Sequence, residues 1–562
     1  MPAQSAAVRR GYLTIDGRQV HYRIAGDGPP LVLLHQSPKS TAELEPHLVR
    51  LGLRHTAIAF DRPGYGGSDP LPGTAEPTLR GYLDNLVAVM DLLGIGPSPV
   101  YGSRTGAIEV VAMARHHPGR FTAAVIDGMP IFTPAAIART IQESLLFEPK
   151  PEGSHLAWAW NRVRDRWLFF PWYEYALANR LDMDVPPVAE IHDVFMDIVR
   201  AGAWYSSGPK AAIRYDYIPD IAALPIPATY ISRSSDQLFT HLDKLPPLPA
   251  ASRIERLGPD HDAWLDRIAA LFEPHRGVKP LAPIPNPASI PGRIARGYAD
   301  TPFGQVFYRW RQDRDGVPLV LLHDGTSSSA LIEPLIGALA ATRPVYAIDL
   351  PGNGETRWNR PGQPTIDDLA AVLRAALAAL RLKAFDMHGI GAGAAVAATF
   401  AAGDASGLRK VVLQGLLLPD DALAGELRAQ YGAPLVMQQD GSHLPAIWHM
   451  LRDHQLFWPW YRRTAGAVRR IEPDLDAAAV HNRLVEVLKN PDHWHGLALA
   501  AFAAPLRQTL PRLRQPVLVC SAENDVGHSG RTQAAVLVPG ATQSDLPGDP
   551  AGTAAAIARF LG

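Results

Sequence analysis

PLVLLH, residues 30–35, returns letter for letter at residues 318–323, 288 positions later. At the same separation Asp61, Pro63, Gly64 and Gly66 of DRPGYGGS meet Asp349, Pro351, Gly352 and Gly354 of DLPGNGET. Further on, GSHLAWAWNRVRDRWLFFPWY (153–173) aligns without a gap on GSHLPAIWHMLRDHQLFWPWY (441–461), with 12 of 21 positions identical. One offset held across three blocks marks a duplicated unit, far longer than a solenoid repeat. PLVLLH is apolar without alternation, as a strand buried on both faces must be. A half-buried strand, RQVHYRIAG, precedes it in the first half, and a second apolar strand follows in each half, HTAIAFD or RPVYAID. The amphipathic stretches LRGYLDNLVAVMDLLG and IDDLAAVLRAALAALR come next, and PATYISR and PVLVCSA read as late strands. Apolar strands alternating with helices imply an α/β fold, a mostly parallel sheet covered by helices on both faces.

Between the halves lies RGVKPLAPIPNPASIPGRIARG, whose prolines at 280, 283, 285, 287 and 291 exclude regular helix and favour extended geometry. The reading is a domain over 1–275, a semi-rigid linker over 276–297 and a second domain over 298–562.

The 562 residues carry 54 Lys plus Arg against 55 Asp plus Glu, a formal charge of −1. That balance argues against a general nucleic-acid or polybasic membrane-binding role. A single cysteine, Cys520, excludes an intramolecular disulfide framework and any CxxC motif. Arg9 and Arg10 are followed by no apolar h-region, and no apolar run reaches about 18 residues. No secretory signal, no transmembrane helix and a cytoplasmic location are therefore expected.

Taken together, the LLH strand ends, the D-x-P-G-x-G turns, a G-x-x-x-G elbow and a late strand followed by Asp resemble the α/β-hydrolase superfamily, one copy in each half. The resemblance covers nearly the whole chain outside the linker. It implies two tandem α/β-hydrolase domains, with helical caps over about 131–220 and about 419–505. The family holds its nucleophile in G-x-S-x-G, on a tight turn beside oxyanion-hole amides. Here the first elbow reads Gly102-Ser103-Arg104-Thr105-Gly106 and the second Gly389-Ile390-Gly391-Ala392-Gly393. Neither Arg104 nor Gly391 can be acylated, so the serine mechanism is closed to both halves.

By the same resemblance Asp236 (YISRSSD) takes the acid position and His261 (IERLGPDHDAW) the base position of the first half. In the second half Asp525 takes the acid position, while Pro550 replaces the histidine. The expected site is a His261–Asp236 dyad, with Arg104 anchoring a carboxylate, an enolate or another oxyanion. The plainer alternative pairs Arg104 with Asp236 in a lapsed site. Gln36 and Ser37, on the loop that usually gives an oxyanion amide, line the site in this reading. So do Ser103, Thr105 and, from the cap, His155, Trp172 and Tyr173. Ser103 precedes the nucleophile position and is read as structural rather than reactive. His35 and His323 are read as partners of backbone groups.

His493-Trp494-His495 and His116-His117 lack the converging ligands of a metal site. Gly391-Ala392-Gly393 is no dinucleotide fingerprint. No cofactor and no metal are expected. The duplication implies an intramolecular pseudo-dimer or a further homo-oligomer. Two function classes follow. The first, favoured because the N-terminal half keeps acid, base and a charged elbow residue while the second half has drifted, is a serine-independent hydrolase or lyase acting on a small carbonyl, ester or carboxylate-bearing compound in the N-terminal half. The second is a catalytically lapsed protein that still binds or senses a ligand.

Overall fold

The computed structural model describes residues 6–73, 76–144, 147–275, 281–284, 287–432 and 435–562. Within PLVLLH, Val32 and Leu34 join one apolar cluster while Leu31 and Leu33 join another on the opposite face of the sheet. The copy repeats this, with Val320 and Leu322 on one side and Leu319 and Leu321 on the other. A run without polar letters is thus a strand with both faces covered.

The described chain divides into two units. One takes residues up to 148 and from 155 into the linker; the other takes 149–154 and everything from 287 on. In the first unit the strands are β1 (Arg9–Ile15), β2 (Arg18–Ala25), β3 (Pro30–Leu34), β4 (Thr56–Phe60), β5 (Ser98–Ser103), β6 (Phe121–Asp127), β7 (Ala228–Arg233) and β8 (Arg253–Leu257). They lie in the order β1-β2-β4-β3-β5-β6-β7-β8. β2 runs antiparallel to both β1 and β4, and the remaining pairs are parallel.

The second unit uses β9 (Ala295–Thr301), β10 (Gly304–Arg311), β11 (Leu319–Leu322), β12 (Val345–Ile348), β13 (Phe385–Ile390), β14 (Leu408–Gln414), β15 (Val517–Ser521) and β16 (Thr542–Asp545). Its order, β9-β10-β12-β11-β13-β14-β15-β16, is that of the first sheet strand for strand. The antiparallel hairpin β1–β2 turns through Asp16 and Gly17, both at positive φ (50° and 69°), the Asp-Gly signature of a tight hairpin.

The amphipathic stretches form helices Leu79–Leu92 and Ile366–Ala379. Thr78 caps the first; Thr365 and Asp368 form a reciprocal capping box on the second. Between β6 and β7 the first cap contributes helices Pro134–Glu143, Ser154–Asp165, Val188–Ala201 and Ser207–Arg214. The second cap, between β14 and β15, contributes Asp421–Gln430, His443–Leu456, Ala477–Leu488 and Gly496–Ala503.

Of the proline-rich linker, residues 276–280 and 285–286 lie outside the described residues. Leu281 and Ile284 pack against the first unit's core, and β9 begins at Ala295, three residues before the boundary read from the sequence. Among the described residues no helix is long and apolar enough to cross a membrane.

Candidate active site

The chain leaves β5 at Ser103 and enters helix Thr105–His116 through Arg104 alone, at φ 52° and ψ −109°. So tight a turn explains the flanking glycine: a β-carbon at Gly102 would sit 2.6 Å from the carbonyl oxygen of Gly106. Holding a non-glycine residue in this region costs about 1–3 kcal/mol. The Arg104 amide donates to the Asp127 carbonyl (2.9 Å), which ties the elbow to the end of β6.

Arg104 Nη2 donates to both oxygens of Asp236, at 3.0 and 2.9 Å. Asp236 Oδ1 also accepts from the Leu238 amide (2.7 Å). The expected His261–Asp236 dyad is not formed. His261 is exposed and opens helix His261–Phe272, which Asp260 caps through the Ala263 amide (2.7 Å). Its ring lies against Trp264 (5.2 Å between centroids), and Nδ1 is 3.3 Å from Arg233 Nη1. Arg233 in turn stacks on Trp264 at 4.2 Å. A permanently charged fork beside the carboxylate outcompetes an imidazole held on the helix surface. His261→Ala is therefore expected to change unfolding free energy in urea by less than about 1 kcal/mol, with unchanged ligand affinity; a larger loss of either returns the imidazole to the site.

The loop after β3 keeps its donors to itself. Glu43 accepts from the Gln36 amide (2.6 Å) and from Gln36 Nε2 (2.8 Å), and pairs with Lys39 (3.1 Å). The Ser37 amide donates to Thr105 Oγ1 (2.6 Å), and Ser37 Oγ accepts from Arg62, itself paired with Glu109. Gln36, Ser37 and Thr105 thus spend their polar groups on one another and on neighbours. Ser103, half-buried, is the last residue of β5. His35 satisfies backbone groups as read, with Nδ1 2.9 Å from the Gln36 carbonyl oxygen and Nε2 accepting from the Arg62 amide (3.0 Å).

The cap adds cations the sequence reading passed over. Arg162 and Arg166 are four residues apart, on and just beyond helix Ser154–Asp165. Both are half-buried, and among the described residues neither makes an ion pair. Arg162 lies over the rings of Trp172 (4.9 Å) and Tyr205 (5.6 Å). Burial, then repulsion from Arg104 and Arg162, pushes Arg166 down to about 10. His155 is buried edge-on to Phe147 (5.6 Å), and Tyr173 spends its hydroxyl on Thr140 Oγ1 (3.1 Å).

Two further groups were missed. His241 Nδ1 accepts from the Ile131 amide (2.8 Å), so the neutral ring carries its proton on Nε2. Burial, with Lys244 and Arg104 adding to it, pushes this imidazole down to about 4. Asp127, the last residue of β6, accepts from Tyr101 Oη (2.8 Å) and Trp264 Nε1 (3.0 Å), both on Oδ2. Burial and the neighbouring Asp236 push its carboxyl up to about 7.

In the second unit Gly391 repeats the elbow backbone at φ 54° and ψ −116°. Asp324 Oδ1 accepts from the Gly325 and Ala392 amides, at 2.7 and 2.8 Å. Its carboxylate thus occupies the amide that follows the nucleophile position. Asp525 Oδ2 accepts from the Ala522 amide (2.8 Å) and from Gln414 Nε2 (3.2 Å). Burial, with Asp324 adding to it, pushes Asp525 up. Pro550 opens the last helix, where the first unit has His261. Among the described residues, no group of three or more His, Cys, Asp or Glu in either unit is placed to hold a metal ion.

The model of the alpha/beta hydrolase fold family matches residues 29–149 and 317–526. The bifunctional epoxide hydrolase 2 of Rattus norvegicus is 29% identical over 138 residues, 24% of this chain and 24% of that protein. The 2-(acetamidomethylene)succinate hydrolase of Mesorhizobium japonicum is 31% identical over 149 residues, 26% of this chain and 51% of that protein. The chain therefore spans about a quarter to a half of the length of these relatives. A crystal structure of a hydrolase from Pseudomonas aeruginosa PA01 aligns over 48% of this chain and 99% of its own, at 20% identity and a TM-score of 0.37. With more than half of its residues matched by one family model, in two separate stretches, the chain belongs to the alpha/beta hydrolase fold family.

Proposed function

We propose that the N-terminal unit captures a small carboxylate-bearing compound between its elbow and its cap, and that neither unit forms an acyl-enzyme. One observation carries this reading: among the described residues the half-buried Arg162 and Arg166 make no ion pair, and Arg166 lies close enough to Arg104, Asp236 and Glu43 to feel their charges. Part-buried guanidinium groups without counterions favour an anionic ligand, and their planar forks fit a carboxylate. His241 Nε2–H is a further donor in the same electrostatic neighbourhood. The 2-(acetamidomethylene)succinate hydrolase named above fits a compound of this class.

The arrangement favours capture over turnover. Among the described residues no imidazole contacts Asp236, and the loop amides of Gln36 and Ser37 are already engaged. A second reading, hydrolysis or lyase chemistry without a covalent intermediate, draws on Asp127. A carboxyl that titrates near pH 7 is suited to proton transfer at working pH.

Calorimetric titration of the whole protein with a panel of small carboxylates tests the proposal. Wild type is expected to bind at least one of them, and Arg104→Gln to lose about 10–100-fold in affinity, the worth of a charge-assisted contact. Equal binding by both proteins overturns it. Serine-directed fluorophosphonates are expected to leave every hydroxyl unlabelled, and an acyl adduct trapped on any of them overturns the non-covalent premise. Turnover of an ester, lactone or β-keto-acid panel, abolished by Arg104→Gln and with no adduct by mass spectrometry, would select the second reading.

A further inference from the structure

We infer that the N-terminal unit binds one or two waters in a polar cavity beside its elbow helix, and that these waters complete a buried Arg62–Glu109 pair whose task is to position the loop of residues 35–37. The inference is independent of what the unit captures.

The cavity has a volume of about 30 Å³, with apolar Leu34, Phe60 and Val89 and polar Arg62, Tyr82 and Glu109 in its wall. A water needs roughly 10–15 Å³ and two or more polar partners. Tyr82 and Glu109 supply the partners. Tyr82 is 3% exposed, and its hydroxyl has no hydrogen-bond partner among the described residues. Glu109 is equally buried, and of its two carboxylate oxygens only Oε1 receives a hydrogen bond among those residues. A hydroxyl and a carboxylate oxygen bordering one small cavity are each costly unpaired, and a shared water satisfies both.

Every guanidinium nitrogen of Arg62 is engaged. Nε donates to Glu109 Oε1 (2.6 Å), Nη2 to the His35 carbonyl (3.2 Å) and Nη1 to Ser37 Oγ. The Arg62 amide adds a further tie, to His35 Nε2 (3.0 Å). Glu109 stands on helix Thr105–His116, whose first residue receives the Ser37 amide on its hydroxyl (2.6 Å). Loop, turn and elbow helix thus close a ring of hydrogen bonds, and those from the guanidinium are charge-assisted.

The second unit shows that the fold does not require this pair. Aligned on Asp61 and Asp349, on the helix caps Thr78 and Thr365 and on the two elbows, Arg62 corresponds to Leu350, Tyr82 to Leu369 and Glu109 to Val396. All three counterparts are fully buried in one apolar cluster. The main-chain tie persists, with His323 Nε2 accepting from the Leu350 amide (3.0 Å). The guanidinium grip does not, and its acceptor Ser37 corresponds to Gly325. There the preceding residue, Asp324, reaches the Ala392 amide at the elbow (2.8 Å), whereas Gln36 stays on Glu43. Well-packed apolar residues stabilise a core as well as a buried ion pair does, or better. What the charged trio adds is direction, a hold on two loop residues that leucine cannot supply.

The test uses the full chain, with Arg62→Leu alone and with Arg62→Leu, Tyr82→Leu and Glu109→Val together, the second unit's residues. The single change leaves Glu109 buried without its cation and is expected to lower the urea midpoint; the triple change is expected to recover at least half of that shift. A triple variant no more stable than the single one overturns the reading, because the trio would then be holding the fold itself. Hydrogen exchange read by mass spectrometry tests the positioning. In the triple variant the peptide spanning 35–40 is expected to exchange about tenfold faster or more, the worth of a charge-assisted contact, while peptides from β3 and β5 keep their wild-type rates. Unchanged exchange over 35–40 overturns the positioning role. The water is tested on wild type alone, so a variant that failed to fold would not remove this arm: a crystal structure is expected to show a water within hydrogen-bond distance of Tyr82 Oη, and a dry cavity overturns the inference.

Discussion

Alanine at position 391 is expected to destabilise the C-terminal unit by at least about 3 kcal/mol. Gly391 holds φ 54° and ψ −116°, a region that costs a residue with a side chain about 1–3 kcal/mol. Collision adds to that strain. A β-carbon at Gly391 would lie 2.8 Å from Asp324 Oδ2 and closer still to Oδ1. Asp324 cannot easily withdraw, because Oδ1 holds the Gly325 and Ala392 amides. Freeing them without a substitute acceptor costs about 1–3 kcal/mol. Arg104 occupies the same backbone geometry because the matched side chain there, Gln36, is drawn away to Glu43. The loss should therefore depend on Asp324. In urea unfolding, Asp324→Gly combined with Gly391→Ala is expected to cost less than the sum of the single changes by about 1.5 kcal/mol or more, a coupling typical of residues in direct contact. Simple additivity would show that the carboxylate and the bare elbow are independent. Gly391→Ser alone is expected to gain no esterase activity, since the amide that would hold an oxyanion is already taken.

The Asp324 pairing shows where the sequence was legible and where it was not. The duplicated fold could be read because it rests on local physics repeated at one spacing. Short apolar runs bounded by turn residues, such as PLVLLH, read as strands buried on both faces, and the glycines of each elbow answer a steric need carried by their own neighbours. The site depends on which side chain wins a contested partner, and that is settled by residues far apart in the chain. Asp236 and His261 stand in the order a dyad requires, but Arg104, 132 positions upstream, takes the carboxylate. Asp260 and Trp264 then fix the imidazole on the outside of its helix. Arg162 and Arg166 were overlooked for a related reason. The cap residues legible in the sequence, His155, Trp172 and Tyr173, recur in the second copy, whereas the residues that distinguish the two sites are those that do not recur. Asp127 closes the apolar strand FTAAVID and reads as a strand end; only the folded sheet brings Tyr101, Trp264 and Asp236 around it.

Asp127→Asn is expected to stabilise the protein at pH 8 and to remove a pH dependence that wild type shows. Asp127 and Gln414 hold the same place: each ends its strand, and its carbonyl accepts from the elbow amide, Arg104 or Gly391, at 2.9 Å. Gln414 faces His388 Nε2 with Oε1 (3.0 Å) and donates through Nε2 to Asp525. Asp127 receives Tyr101 and Trp264 on Oδ2, which leaves Oδ1 in the place of that amide nitrogen. A proton there gives Asp127 the donor that Gln414 has by its chemistry, beside the acid-position carboxylate Asp236. Burial and Asp236 raise the folded carboxyl to about 7, from an ordinary value of about 4. Between those two values the unfolded chain has released this proton and the folded chain keeps it. Stability therefore falls as pH rises from about 4 to about 7, by up to about 4 kcal/mol, and is level above that. Asparagine keeps the acceptor for Tyr101 and Trp264, supplies a donor in place of the protonated oxygen and does not titrate. Urea unfolding at pH 5, 6, 7 and 8 should show wild type losing stability across the series and the variant holding level in this respect, its advantage at pH 8 about 2–4 kcal/mol. Anion affinity should follow the same proton, because an ionised Asp127 places a second negative charge beside Asp236 and weakens the pull on a carboxylate; wild type should bind less tightly at pH 8 than at pH 6, and Asp127→Asn should flatten that difference. Parallel stability profiles for the two proteins would mean that Asp127 is ionised throughout, and that the comparison with Gln414 is one of shape alone.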